Sequence, residues 1–371
     1  MKFKRHYLFF VLLLHSVVTK AQNQRNFTAI ISEFENKLNT ELINDHSGAS
    51  ISYAVLKKDT VVYANAVGYA DFSKNKKADT NTLYRIGSMT KPITALLMML
   101  LVQDKSIMLT DPVERYLPEI ANLKGYNTFN KITFIQLASH TSGLNREPDT
   151  KKSTSGAFEE WEKKALGAIQ KTKIRNNPEQ KFKYSNIGYG ILGLALSRAA
   201  GKPYTKLVNE KIFQPLGMNQ SYFQITDETK SNLAQGMKLK LQKESRNAAK
   251  EHGGRGYKVP SGGIYSTPLD MIKFLKCISG FSAIIKQEHI DIMKISHASN
   301  EDYGLGLFIY KDDMLSVVCH DGLVDGYSGC FVLDQNSKIG IVILRNCSKG
   351  KTNMYNTAFD LLRKIIKSDP N

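Results

Sequence analysis

The sequence predicts a mixed α/β fold: one antiparallel sheet built from both ends of the chain and flanked by helices, with an inserted, mostly helical lobe. Three observations support this prediction. Strand-like segments cluster near the two ends, helical patterns dominate between them, and one helix in the first third is apolar on every side. A helix that is apolar all round is buried on all its faces, so it belongs to the core beside the sheet.

Length and composition are those of a folded globular protein. The chain has 371 residues, of which 42% are hydrophobic and 23% are charged, and a chain of this length can bury a large core. Its 26 glycines and 10 prolines are ordinary numbers, and no repeat recurs along the chain. These features exclude collagen, coiled coils and low-complexity disorder.

The first 21 residues are predicted to be a secretory signal peptide. Basic residues within positions 2–5 precede the apolar run 7–14, and small residues precede a cleavage site after Ala21. The apolar run is shorter than the roughly 20 residues that a spanning helix needs. An uncleaved anchor is the alternative. We therefore expect a periplasmic or secreted protein whose mature chain, residues 22–371, has no transmembrane segment.

Positive charge dominates the mature chain. Removing residues 1–21 lowers the formal net charge from +17 to +13. An exported protein with this charge is expected to meet anionic envelope polymers or lipid headgroups, and no nucleic-acid partner is expected. The densest basic segment, residues 238–258, is interpreted as a solvated loop, with a docking surface as the alternative.

The cysteines show no spacing typical of a metal or redox site. Cys277, Cys319, Cys330 and Cys347 form no C-x-x-C pair, and the sequence has no H-E-x-x-H. We expect no metal and no cofactor. Export permits disulfides, and the spacing is compatible both with one bridge and with buried thiols.

The first elements have clear hydrophobic patterns. Residues 29–43 carry apolar side chains at three- and four-residue spacings, which predicts an amphipathic helix. Residues 49–56 and 61–69 predict two strands of a hairpin, because a polar turn joins them. The helix that is apolar on all sides, residues 88–104, comes next.

The later elements complete the two lobes. Helices are predicted within the central region at residues 134–139, 156–168, 187–200 and 204–213. A short helix, four strands and a closing helix are then predicted at residues 268–277, 304–310, 314–320, 327–333, 339–344 and 354–366. The sheet-containing lobe is thus expected to comprise residues 22–108 and 258–371, and the helical lobe residues 109–257. A cleft between the lobes is the expected place for a site.

Ser88-Met-Thr-Lys91, at the start of the apolar helix, is the principal candidate for chemistry. Residues three apart share a helix face, so the Lys91 ammonium can lie beside the Ser88 hydroxyl. A serine hydroxyl needs such a neighbour to become a nucleophile, and its N–H at a helix start is free to bind an oxyanion. The motif alone is weak, because it recurs at Ser73 and Ser348, and a helix-capping role for Ser88 is the alternative.

Tyr184-Ser-Asn186 lies between an extended segment and an apolar helix. Tyr184 can relay a proton there, since a neighbouring Lys91 cation would lower the pKa of the phenol. Asn186 can hold Lys91 and donate to a substrate carbonyl.

His320-Asp-Gly322 ends a predicted strand. Gly322 would let a substrate backbone approach closely, and the Leu323 N–H would be a second oxyanion donor. A lone triplet of this kind is more often a turn, and two other H-x-G triplets occur at residues 46–48 and 252–254.

In this order the three motifs resemble those of the beta-lactamase-related serine hydrolases, which include class C beta-lactamases, DD-peptidases, D-aminopeptidases and related esterases. Further segments resemble the family at residues 137–144, 184–193, 215–218 and 261–270. The resemblance extends over roughly residues 51–344. It implies the beta-lactamase/transpeptidase fold.

The resemblance also implies roles for the candidate residues. Ser88 would form an acyl-enzyme, and Lys91 and Tyr184 would move protons, with either of them as the general base. Asn186 would orient Lys91 and the substrate, and the Ser88 and Leu323 amides would form the oxyanion hole. His320 and Gly322 would belong to the substrate-binding strand.

The chain departs from the beta-lactamases at His320-Asp-Gly322, where they carry Lys-Thr-Gly, a triplet that this sequence lacks altogether. The family lysine helps to hold a substrate carboxylate, whereas histidine is mostly neutral at pH 7. A strong beta-lactamase is therefore not expected, and His-x-Gly looks more like the esterase and D-aminopeptidase branches.

We therefore expect an exported serine hydrolase that cleaves an ester or amide bond in a small molecule or peptide, including D-amino-acid peptides. One alternative is a DD-carboxypeptidase or weak beta-lactamase that acts on peptidoglycan fragments or antibiotics. Another is a penicillin-binding sensor that is acylated without turning over.

Overall fold

The fold is taken from a computed structural model, which describes residues 25–150, 152–178, 181–240, 243–247 and 255–368. The predicted signal peptide, residues 1–21, and part of the basic segment 238–258 lie outside this range. Within it, no helix combines the length and the apolar character needed to cross a bilayer.

The strands form one large sheet and two short pairs. Their bounds are β1 (Ser50–Lys57), β2 (Thr60–Asp71), β3 (Lys76–Lys77), β4 (Tyr84–Arg85), β5 (Met237–Lys240), β6 (Lys243–Asn247), β7 (Tyr265–Ser266), β8 (Phe308–Lys311), β9 (Ser316–Val324), β10 (Tyr327–Asp334) and β11 (Ile339–Arg345). The sheet has seven strands in the order β3-β2-β1-β11-β10-β9-β8, and the pairs are β4-β7 and β5-β6.

The seven-stranded sheet joins the two ends of the chain. β1 pairs antiparallel with β11, from Ile51 opposite Arg345 to Lys57 opposite Ile339, so the first hairpin lies directly beside the last strand. β9, β10 and β11 continue the sheet as antiparallel neighbours. The prediction of one antiparallel sheet built from both chain ends is confirmed.

Twelve helices surround the sheet. Their bounds are α1 (25–45), α2 (Thr90–Gln103), α3 (Phe134–Ala138), α4 (Trp161–Ile169), α5 (Asn186–Ala199), α6 (Tyr204–Val208), α7 (Gln214–Leu216), α8 (Asp227–Lys230), α9 (Val259–Gly262), α10 (Pro268–Ile278), α11 (Gln287–Met293) and α12 (Met354–Ser368), counted within the described ranges. A π-helical turn, Asn209–Phe213, joins α6 to α7.

Side chains of the central strands alternate between two apolar layers, as the pleat requires. In β1, Tyr53 and Val55 face a layer formed with α1 and α12. Ala54 and Leu56 face the larger core, which contains α2, α5 and α10. The sheet is therefore covered by helices on both faces.

Helix α2 lies inside the larger core. Residues Thr90 to Leu101, twelve of its 14 residues, are buried, as the all-round apolar pattern predicts. A 3₁₀ turn, Gly87–Met89, precedes it and packs against β9 and α9. Because α2 is enclosed on all sides, the side chains of its first turn are held rigidly.

Some predicted bounds are wrong for local reasons. The predicted strand 304–310 begins only at Phe308, because Gly306 has a φ of +75° and a Cβ on Gly304 would lie 2.2 Å from the Met293 carbonyl oxygen. The predicted helix 156–168 begins only at Trp161, since Gly156 has a φ of +126°, which a right-handed helix cannot contain.

Two expectations outside the site also have outcomes. Part of the basic segment 238–258 forms strands β5 and β6 rather than a continuous loop. All four cysteines are buried thiols, which is one of the two alternatives that the sequence left open. The division into lobes at residues 108 and 258 stays a prediction.

Candidate active site

Ser88 lies half-buried in the 3₁₀ turn that precedes α2. The turn begins with Gly87, whose φ of +55° is a conformation that favours glycine. A Cβ on Gly87 would also lie only 3.0 Å from the backbone nitrogen of Leu323 on β9. The backbone around Ser88 and the Leu323 amide are therefore neighbours, as an oxyanion hole formed by the Ser88 and Leu323 N–H groups requires.

Lys91 is the second residue of α2 and is fully buried. Its Nζ donates to the Ser88 Oγ at 3.1 Å, the Asn186 Oδ1 at 2.8 Å and the Ser261 carbonyl oxygen at 2.9 Å. Burial, assisted by the nearby Arg146 cation, holds the pKa of Lys91 well below its usual value. The amine is thus poised to lose its proton while it touches the serine hydroxyl.

Tyr184 lies just before α5, and its phenol interacts with the Ser88 side chain. The Lys91 Nζ lies 4.7 Å from the centroid of its ring. Burial raises the pKa of Tyr184 above its usual value. The expectation that a neighbouring cation lowers this pKa is wrong, because desolvation of the buried phenol outweighs the groups that lower it.

Asn186 is the first residue of α5, and its side chain bridges two charged groups. Its Oδ1 accepts from Lys91, and its Nδ2 donates to the Glu147 Oε1 at 2.6 Å. These two partners fix the orientation of the amide, since a carboxylate can only accept and the buried amine donates. Ser88, Lys91 and Asn186 therefore form one hydrogen-bonded cluster, and the Tyr184 ring packs against its amine.

Glu147 is a member of the site that sequence reasoning missed. Besides Asn186, it accepts a hydrogen bond from the Tyr257 hydroxyl and forms an ion pair with Lys258 at 3.1 Å. Glu147 follows the family-like segment 137–144 by three residues, but no spacing rule connects it to Asn186. Only the tertiary contact identifies it.

We expect Glu147→Gln to lower kcat about 10-fold, because hydrogen bonds to charged groups contribute about 1.5–3 kcal/mol. The Glu147 carboxylate raises the pKa of Lys91, so its loss should move the acidic limb of the kcat/KM profile to lower pH. Glu159→Gln, at an exposed carboxylate, is the control. An unshifted limb with full kcat would contradict the positioning role of Glu147.

His140, in the family-like segment 137–144, lies beneath Tyr184 and was not singled out from the sequence. Its ring centroid is 4.3 Å from that of Tyr184, and its Nδ1 accepts from the Ser185 N–H at 3.1 Å. Burial holds the pKa of His140 well below its usual value. A neutral His140 therefore anchors the backbone between Tyr184 and Asn186.

His320 lies on β9 behind Tyr184 and is fully buried. Its Nδ1 donates to the Asp321 carbonyl oxygen at 2.6 Å, since a carbonyl can only accept, and its Nε2 then accepts from the Tyr303 hydroxyl at 3.3 Å. Burial lowers the pKa of His320. A neutral ring with both nitrogens engaged supplies no fixed cation for a substrate carboxylate.

Gly322 packs β9 against the turn that carries Ser88. A Cβ on Gly322 would lie 2.0 Å from the Ile86 carbonyl oxygen and 3.4 Å from the Met89 Cγ. Leu323 is the next residue, and its side chain is exposed. A glycine at position 322 thus allows β9, and with it the Leu323 amide, to lie close to Ser88.

We expect Gly322→Ala to destabilise the fold by about 1–3 kcal/mol, the usual cost of overpacking, and to lower kcat because β9 must move away from Ser88. Thermal unfolding and ester hydrolysis measure the two effects. Gly167→Ala is the matched control, since nothing lies within 4 Å of its Cβ position in α4. Equal unfolding temperatures for Gly322→Ala and wild type would contradict the packing argument.

Known proteins are similar to this chain in sequence. The family model described as Beta-lactamase matches residues 31–363. Protein flp of Staphylococcus aureus is 28% identical over 305 residues, and beta-lactamase-like protein 4 of Dictyostelium discoideum is 29% identical over 347 residues. The alignments cover 81% and 84% of this chain and 59% of each relative, so the chain spans about three-fifths of the length of these relatives.

Solved structures share the fold. The octameric penicillin-binding protein homologue from Pyrococcus abyssi has a TM-score of 0.77 and 27% identity, covering 92% of this chain and 79% of that one. The beta-lactamase/D-alanine carboxypeptidase from Yersinia pestis, solved with citrate, has a TM-score of 0.75 and 26% identity, covering 91% and 99%. The hydrolase EstCE1 shares the fold, with a TM-score of 0.76 and 19% identity. That match covers 95% of this chain and 99% of the EstCE1 chain.

Proposed function

The chain belongs to the beta-lactamase family of serine hydrolases, and from that premise we propose that it cleaves an ester or amide bond through an acyl-enzyme on Ser88. The observation that carries the proposal is the buried Lys91 amine, whose Nζ contacts the Ser88 Oγ, the Asn186 Oδ1 and the Ser261 carbonyl oxygen.

Lys91 is the proposed general base. A neutral amine has two N–H donors and one lone pair. Asn186 Oδ1 and the Ser261 carbonyl can only accept, so they take both donors and leave the lone pair facing the Ser88 hydroxyl. The depressed pKa of Lys91 makes this neutral form available at lower pH than in an ordinary lysine.

In acylation, the Ser88 Oγ forms a bond to the substrate carbonyl carbon while its proton moves to the Lys91 Nζ. The carbonyl electron pair becomes an oxyanion, which the N–H groups of Ser88 and Leu323 stabilise. The bond to the leaving group then breaks.

Tyr184 is the proposed relay to the leaving group. The centroid of its ring lies 4.7 Å from the Lys91 Nζ, and its raised pKa keeps the phenol protonated and able to donate. The proton taken up by Lys91 replaces the one that Tyr184 gives to the leaving group. Water then attacks the acyl-enzyme with the same groups in reverse roles, which releases the acid and restores Ser88.

The substrate class follows from the family and from the site. We propose esters or amides, including D-amino-acid peptides, because a neutral, buried His320 replaces the lysine of beta-lactamases. A second candidate is DD-carboxypeptidase or weak beta-lactamase activity on peptidoglycan fragments or antibiotics. It is favoured by the likeness to the Yersinia pestis protein described as a beta-lactamase/D-alanine carboxypeptidase.

The test combines an active-site label with a turnover assay. We expect a fluorophosphonate probe to label Ser88, as mapped by peptide mass spectrometry, and p-nitrophenyl esters to be hydrolysed with many turnovers. D-alanyl peptides and a chromogenic cephalosporin then distinguish the second candidate. One equivalent of label without turnover of any substrate would favour the non-turnover sensor, and absence of labelling would overturn the proposal.

Export through a signal peptide cleaved after Ala21 is part of the proposal, and its periplasmic or secreted location follows from it. The sequence pattern of residues 1–21 supports it. Amino-terminal sequencing of protein recovered outside the cytoplasm should begin at Gln22. Protein that retains Met1 and stays in the cytoplasm would overturn this part alone.

A further inference from the structure

The charged groups around the reactive amine are unevenly paired. Four charged side chains shift the pKa of Lys91. Two cations, Arg146 and Lys258, lower it, and two carboxylates, Glu147 and Asp321, raise it. Lys258 is paired with Glu147, which also accepts from Asn186 and Tyr257. Within the described part of the chain, Arg146 has no carboxylate partner.

Arg146 is held at the reaction centre. Its carbonyl oxygen accepts from the Asn186 N–H at 2.9 Å, and its guanidinium carbon lies 4.8 Å from the centroid of the Tyr184 ring. Stacking on an aromatic face restrains a guanidinium and leaves its N–H edge free to donate. The side chain is exposed, so a ligand can reach it.

We propose that Arg146 is an anion-binding residue of the substrate site, and that the enzyme prefers substrates with a carboxylate next to the scissile bond. This inference rests on the proposed function and deepens it. The planar fork of arginine matches a carboxylate with two parallel hydrogen bonds. In this chain Arg146, on the segment that follows α3, would thus perform the task that His320 on β9 cannot.

Asp321 is the group that opposes such binding. Its carboxylate side chain is 62% exposed. It raises the pKa of Tyr184, whereas Arg146 lowers the same pKa. It is therefore hydrated, so its field is weakened by solvent. Asp321→Asn should strengthen the preference for an anionic substrate.

The test compares matched substrates. The first pair, p-nitrophenyl hemisuccinate and p-nitrophenyl butyrate, differs by a carboxylate on the acyl group. The second pair, 4-carboxyphenyl acetate and phenyl acetate, differs by a carboxylate on the leaving group. The ratio of kcat/KM, anionic over neutral, is measured for wild type, Arg146→Gln and Arg175→Gln. Arg175 is an exposed arginine nearby in the sequence, and its replacement removes the same charge.

We expect the ratio to fall about 10-fold in Arg146→Gln for at least one pair, the lower range for a hydrogen bond to a charged group. The ratio should keep its wild-type value in Arg175→Gln. In Arg146→Lys it should lie between the values of wild type and Arg146→Gln. Added salt should lower the ratio of the wild type. Using the ratio cancels any effect of Arg146 on Lys91 that both substrates share. An unchanged ratio in Arg146→Gln for both pairs would overturn the inference.

A second readout needs no turnover. Succinate or benzoate should slow fluorophosphonate labelling of Ser88, and the concentration that halves the rate should rise about 10-fold in Arg146→Gln. Labelling that is protected equally in wild type and both glutamine variants would overturn the role of Arg146 alone. Absence of labelling in all of them would instead overturn the proposed function.

Discussion

Ser88→Ala is expected to reduce p-nitrophenyl ester hydrolysis by about 10⁴-fold or more, because it removes the hydroxyl that the Lys91 Nζ contacts. The residual rate would come from substrate binding and the oxyanion donors alone. Steady-state kinetics measure the rate, and loss of the fluorophosphonate adduct provides an independent readout. The fold should be unaffected, since the change removes one half-buried oxygen.

The sequence supplies matched controls for this variant. Ser73 and Ser348 also begin S-x-x-K motifs. Ser73, however, lies on the surface, where its Oγ donates to the Asp71 Oδ1 at 2.6 Å. Ser73→Ala and Ser348→Ala should therefore retain full activity. A Ser88→Ala enzyme with wild-type turnover, or a loss of activity in either control, would refute the assignment of Ser88.

Lys91→Met is expected to lower kcat/KM about 10³-fold, within the usual range for loss of a general base. Methionine preserves the length of the side chain and adds no charge to the core. The Asn186 Oδ1 and the Ser261 carbonyl would lose their donor, so thermal unfolding is measured in parallel. Lys91→Met should still fold, since burial of the amine already opposes its charged form.

The pH profile shows whether Lys91 acts as the base. Ser88 is activated only by the neutral amine, so kcat/KM of the wild type should rise with pH through the pKa of Lys91 and then level off. Because this pKa is depressed by burial and by Arg146, the limb should lie well below pH 10.5. The limb should be absent in Lys91→Met. A variant that keeps the same limb would assign it to another group.

Much of the site follows from local spacing. Ser88 and Lys91 share one face of a helix start, and the run that follows is apolar on all sides, which predicts a buried, rigid helix. Tyr184 and Asn186 flank the start of another buried helix, and Gly322 lies in a strand. These patterns depend on the spacing of residues along a helix or a strand, and this spacing can be read directly from the sequence.

The remaining features of the site depend on contacts between distant segments. Glu147 meets Asn186 across 39 positions of chain, and the Ser261 carbonyl meets Lys91 across 170. No period relates such residues. The direction of the Tyr184 pKa was also misjudged, because a sequence shows which charges are present but not how much water surrounds them.

The sequence by itself determined the family, a sheet built from both chain ends and the candidate pair of Ser88 and Lys91. Only the tertiary structure decided that Lys91 is deprived of solvent, that His320 is buried and neutral, and that Arg146 lies beside Tyr184 with no carboxylate partner among the described residues. The physical reason is that helix and strand geometry acts between near neighbours, whereas desolvation and charge pairing are set by everything that packs around a group.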